Sequence, residues 1–136
     1  MDLIVTDHTP ENLESTFDAT FLFSHPLYSV IAKNTEMKWL VIIPKDEMNA
    51  GSNLEYVQEL YGEIYKLVGY IQNNQLGEHF NLGKIGNKHP NYHIHLVFRD
   101  ESDEAWPDAI WCHEPLKSSS DTALEWKEKL APFFNH

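Results

Sequence analysis

The run Asn91-Tyr92-His93-Ile94-His95-Leu96-Val97-Phe98-Arg99 alternates polar and apolar side chains through two histidines two residues apart. Successive side chains of a β-strand point to opposite faces. As a strand, the run sets Asn91, His93, His95 and Val97 on one face and Tyr92, Ile94, Leu96 and Phe98 on the other. The apolar set anchors the strand in a core. The two imidazoles are then held about 7 Å apart on the opposite, exposed face. Two titratable rings fixed on a stiff element make a candidate site. The chain's only arginine, Arg99, follows four residues after His95.

Working outward, a strand over about residues 80–85 runs into Gly86-Asn87-Lys88-His89-Pro90, a short turn that delivers the chain antiparallel into the histidine strand. Upstream, Leu54, Val57, Leu60, Tyr61, Ile64, Leu67, Val68 and Ile71 recur at helical spacing. Ser52-Asn53-Leu54-Glu55 fits a capping box at the start of this helix, and Asn73-Asn74-Gln75-Leu76-Gly77 stops it. Residues 27–32 and 38–43 read as two more strands joined by a polar hairpin. Pro44, with no N–H to give, ends the second. Downstream, the acidic run 100–104 reads as a solvated loop, since it lacks the glycine and alternating ligands of a Ca²⁺ loop. Trp106–Trp111 reads as extended and packed. Ser118-Ser119-Ser120-Asp121 offers N-caps for a last helix to about Pro132. The sum is a single domain over 1–136, with a core of about 15–112 and a helical tail of about 118–133. Its class is α+β: one antiparallel sheet with helices on one face.

Bulk properties narrow the function. A formal charge of −11 argues against a nucleic-acid partner, because such affinity comes from basic patches. It leaves room for a small anion held by a few local cations. No apolar run reaches the ~18 residues of a membrane span, and the acidic N-terminus does not resemble a signal peptide. A cytoplasmic protein with no membrane partner is expected. The single cysteine, Cys112, cannot form an internal disulfide and reads as an inert thiol.

Three chemistries are open to His93 and His95. Either ring can act as a neutral nucleophile, both can bind a metal, or both can hydrogen-bond a phosphate. Zinc wants three or four ligands and the strand supplies two, so no metal is expected. His89 would complete such a set, but it reads better as a solvated turn histidine, and His25 before Pro26 as a turn residue. A cupin-type metal barrel also carries His-x-His on a strand, yet the long capped helix speaks against it. Lys88 and Arg99 bracket the strand with positive charge, and an arginine can clamp phosphate oxygens bidentately. Trp106 and Trp111 could stack on a base, though core packing is the plainer role.

These residues resemble the histidine triad family of nucleotide hydrolases and transferases, whose pattern is His-φ-His-φ-His-φ-φ with φ apolar. Residues 91–97 match it except that Asn91 stands in the first histidine's place, as an amide does in a bacterial subgroup. WLVIIPK (39–45), NLGKIGN (81–87) and AWPDAIW (105–111) extend the likeness. The resemblance implies a half-barrel sheet completed by homodimerisation, with a nucleotide cleft along the histidine strand and no cofactor. It further implies that His93 attacks the α-phosphorus and that His95 stabilises the developing charge, with Asn91 beside them. Asn87 would sit near the phosphate; Lys88 and Arg99 are added from charge and position. The implied activity is hydrolysis or nucleotidyl transfer on a dinucleoside polyphosphate or nucleoside phosphoramidate. The alternative is a nucleotide-binding or regulatory dimer with little turnover. The sequence departs from the pattern at Asn91 and after Pro44-Lys45, where Asp46-Glu47-Met48 replace a frequent histidine.

Overall fold

The computed structural model describes residues 3–112 and 116–135; the thiol of Cys112 lies outside the described residues. The chain opens with a short helix, α1 (Pro10–Phe17), which the sequence reading did not anticipate. Thr9 caps it by accepting from the Asn12 N–H, and Pro10 fits the first turn, where an N–H is not needed. Asp18, in the left-handed region at φ 49°, turns the chain into β1 (Ala19–Ser24), also unanticipated.

The expected hairpin is present. β2 (Tyr28–Lys33) pairs antiparallel with β3 (Lys38–Pro44), from Tyr28 opposite Pro44 to Ala32 opposite Leu40. The long helix α2 spans Ala50–Asn73, but Ser52 is not its cap. Asn49 accepts from the Gly51 N–H instead, and the helix breaks at Asn53 (φ −145°, ψ 44°), whose side-chain amide donates to the Glu47 carbonyl. Leu54, expected on the apolar face, is therefore exposed, while Leu60, Ile64, Leu67, Val68 and Ile71 are buried.

Next come β4 (His79–Gly83) and β5 (Ile94–Arg99), antiparallel with Gly83 opposite His95. Two expectations change here. The connection between them is a loop of residues 84–93 and not a tight turn, and the strand begins at Ile94, so His93 precedes it. Residues 105–112 fold as turns, with a cis Trp106–Pro107 bond and a 3-10 turn at Ile110–Cys112, and are not extended. They are packed only in part: Ile110 and the preceding Ala105 are buried, while Trp106, Pro107 and Asp108 are exposed. The final helix, α3 (Asp121–Phe134), starts after Ser120 and runs past Pro132.

The five strands form one antiparallel sheet in the order β1-β2-β3-β5-β4. On one face Val30, Ala32, Leu40, Ile42, Ile94, Leu96 and Phe98 pack against α2 and α3, including Trp126 and Leu130. Each of the Val, Leu, Ile and Phe side chains, fully buried, contributes roughly 1.5–3 kcal/mol. The other face is covered too, which corrects the expectation of helices on one side. Leu13 and Phe17 of α1 pack there on Ile31, Val41 and Ile43, while Ala105 and Ile110 pack on Met37 and Val97.

The end of α2 meets the sheet so closely that Gly77 has no room for a side chain. A Cβ there would stand 2.5 Å from Cδ1 of Phe98, a ring only 3% exposed and so unable to retreat. Gly77→Ala should cost about 1–3 kcal/mol, typical of an overpacked core. Urea unfolding would show this as a lower midpoint at unchanged slope. An unmoved midpoint would mean that Phe98 can yield.

Candidate functional site

The alternation read from the sequence holds in space. Tyr92, Ile94, Leu96 and Phe98 join the main core, while His93, His95, Val97 and Arg99 take the opposite side. That side is not open, however. His93 is 9% and His95 8% exposed, because α1 and residues 105–111 roof the face that was expected to meet solvent.

Hydrogen bonds orient both rings. Nδ1 of His93 lies 2.7 Å from the backbone carbonyl of Asn91, which can only accept. Nδ1 of His93 therefore carries the proton, and in the neutral ring Nε2 keeps a lone pair. At His95 the arrangement is reversed. The indole N–H of Trp39, which can only donate, lies 3.0 Å from Nδ1, so the proton of the neutral ring sits on Nε2. Register brings this about: His95 faces Val41 and Trp39 faces Val97, which makes Trp39 a diagonal neighbour of His95. The two imidazoles meet edge to face with centroids 5.0 Å apart. One presents an acceptor at Nε2 and the other a donor.

A cavity of about 360 Å³ opens over these rings. His89, Asn87 and Lys88 of the 84–93 loop line it, together with Lys33 at the end of β2, Trp39, Ile110 and Trp111. None of its described lining residues is a carboxylate, although the chain carries 21 of them. The depression around Lys38 is the opposite case, lined by Glu36, Asp100, Asp103 and Glu104. Only the first suits an anion.

Burial, then the neighbouring His93 and Lys33, push the His95 pKa down to about 4. Burial also lowers that of His93, aided by His89, Lys33 and Lys84, against the opposing pull of its bond to Asn91. Both rings are thus held toward their neutral forms. Lys33 is itself shifted down by burial; its ammonium donates to the Phe17 carbonyl at 3.1 Å and lies 5.8 Å from the Trp39 ring centroid.

The structure brings His93, His95, Asn87 and Lys88 to one cavity and leaves Arg99 out of its lining. The guanidinium is buried: Nε and Nη2 donate to the Asp103 carboxylate at 2.8 and 3.2 Å, Nη1 donates to Asn81, and Trp106 lies against it. Its partner is Asp103 of the loop read as merely solvated. Asn91 contributes its carbonyl. Glu47, in the segment where the family resemblance lacks its histidine, is hydrogen-bonded by the Tyr92 hydroxyl. His25 stays in its turn, accepting from the Leu27 N–H. His89 is no solvated turn histidine: it is half-buried and stacked on Phe17. Among the described residues no group of three or more ligating side chains could hold a metal, and no helix is long and apolar enough to cross a membrane. Lys33, Trp39 and Phe17 were not singled out from the sequence, since only the strand order places them beside the histidines.

No protein-family model matches the sequence, and no curated protein matches it significantly. Solved structures do match. A histidine triad protein from Marinobacter aquaeolei VT8 superposes with a TM-score of 0.75 at 24% identity, over 91% of this chain and 93% of that one. The histidine triad protein blr8122 from Bradyrhizobium japonicum gives 0.74 at 20% identity, over 90% and 94%. The histidine triad protein SMc02904 from Sinorhizobium meliloti 1021 gives 0.70 at 19%, over 91% and 94%. At these identities the likeness is one of fold: the chain folds as these histidine triad proteins do.

The low pKa of His95 ties stability to pH. The unfolded chain takes up this proton near 6.5 and the folded one only near 4, so stability is full above the higher value and falls as pH drops between them. The loss from this ring is on the order of 3 kcal/mol. Urea unfolding at pH 7 and pH 4 should show the gap between wild type and His95→Gln narrowing by that order in acid. A gap that stays constant would contradict the shift.

Proposed function

We propose that this protein hydrolyses, or transfers the nucleotidyl group of, a nucleotide conjugate by attack of His93 Nε2 on the α-phosphorus. The observation that carries the reading is the pair of opposed tautomers: an acceptor nitrogen on His93 beside a donor on His95, at the floor of a cavity whose described lining residues include no carboxylate. The family resemblance and the shared fold support it.

In the first step the Nε2 lone pair forms the P–N bond while the bond from phosphorus to the leaving group breaks, its electron pair departing with that group. The ring becomes cationic with its proton still on Nδ1, and the Asn91 carbonyl, already 2.7 Å away, stabilises that charge. His95 Nε2–H, with Lys33 and Lys88, faces the charge gathering on the phosphoryl oxygens. Water then attacks phosphorus, the P–N pair returns to Nε2, and a proton leaves to solvent, giving the nucleoside monophosphate. A cavity of about 360 Å³ is at the small end of the usual ligand range and suits a mononucleotide unit. Dinucleoside polyphosphates and nucleoside phosphoramidates are the proposed substrates, and a homodimer the proposed working form. Asn91, which cannot titrate, favours the second reading, a nucleotide-binding dimer with little turnover.

Incubation with diadenosine polyphosphates and adenosine phosphoramidate should release AMP. His93→Ala should reduce that rate by at least several hundredfold while leaving the circular dichroism spectrum unchanged. Near-normal turnover in the variant would remove His93 from the role. AMP binding by calorimetry without release would establish the second reading.

A further inference from the structure

The 84–93 loop is exposed at Lys84, Ile85, Gly86, Asn87, Lys88 and Pro90, yet His89 turns inward. Its ring stacks on Phe17, with centroids 4.8 Å apart and planes 23° apart, and meets His93 edge to face at 5.6 Å. Stacking alone would be served as well by an apolar ring. A histidine carries a cost there, because its Nδ1 is buried with no partner among the described residues. That cost is least when Nδ1 holds a bare lone pair and the proton sits on Nε2, since an orphaned N–H is the rarer and dearer case. The ring then has one donor, Nε2–H, and it lines the same cavity as His93 and His95.

The three rings form a row, with His93 in the middle and His89 and His95 at 5.6 and 5.0 Å on its flanks. A phosphoryl group on the middle ring carries two non-bridging oxygens, and each flank has an imidazole donor to offer. We propose that His89 is a catalytic residue that donates from Nε2 to a phosphoryl oxygen of the ligand at His93, the counterpart of His95 on the other side. This rests on the reading of His93 as the group that meets phosphorus.

Two substitutions separate donor from packing. Gln places an amide N–H at about the reach of Nε2 and loses the ring; Phe keeps the ring on Phe17 and loses the donor. Turnover of adenosine phosphoramidate should survive in His89→Gln within about threefold in kcat/KM. In His89→Phe it should fall at least about tenfold, a modest loss for one oxyanion donor. The reverse order would overturn the proposal and leave His89 as a packing residue. Imidazole ¹⁵N spectra of the wild type titrated with inorganic phosphate give an independent readout, in which the His89 Nε2 resonance should shift on binding. A shift in a protein that releases no AMP would uphold the donor and remove the nucleotide chemistry. Turnover that depends on His93, with a silent His89 resonance and active His89→Phe, would do the opposite. Neither turnover nor shift would overturn both.

Discussion

Between β3 and β5 the register sets Val41 opposite His95 and Trp39 opposite Val97, and a slip of one residue would turn every side chain of β5 over. Ile94, Leu96 and Phe98 would then lose the core formed with α2 and α3, so that core fixes the slip at zero. The polar arrangement on the far face is a by-product of this constraint. With Phe98 and Leu96 in place, His95 has one direction to point, and the indole of Trp39 is within reach of its Nδ1. The hydrophobic effect, which has no direction of its own, thereby determines which nitrogen of a buried imidazole carries a proton.

The distribution of charge follows a similar economy. The described residues lining the cavity over the histidines include no carboxylate, while Arg99 pairs with Asp103 and Asn81 at the other end of β5 and is neutralised there. The cations left at the cavity are lysines, of which Lys33 is anchored by the Phe17 carbonyl and the Trp39 ring. Under the proposed function, a lysine in place of a bidentate arginine would hold a phosphate less rigidly.

What the sequence disclosed was whatever depends on local alternation. The β2–β3 hairpin, the stop of α2 at Asn73 to Gly77, and the division of Tyr92–Phe98 into a greasy and a polar set all follow from period and turn chemistry. α1 escaped notice because it buries only Leu13 and Phe17, too few for a visible period, although Thr9-Pro10-Glu11 carried a cap signal. The roof over the histidines escaped for the same reason. Trp39, Lys33 and Phe17 are close to His93 and His95 only after the strand order is known, and no spacing along the chain encodes that order. The pairing of Arg99 is not legible in the sequence, because its partner Asp103 lies in an acidic run whose composition points only to solvent.

Phe17 packs on His93 from near the start of the chain, and Trp111 on His95 from the segment that follows β5. A contact as distant in sequence as Phe17 on His93 needs far segments brought together, an entropy spent before the contact repays it. The pocket is therefore a property of the finished topology. A partly folded chain can own the β2–β3 hairpin and all of α2 and still have nothing that resembles a binding site. The shape of the cavity and the completeness of the strand order are a single variable.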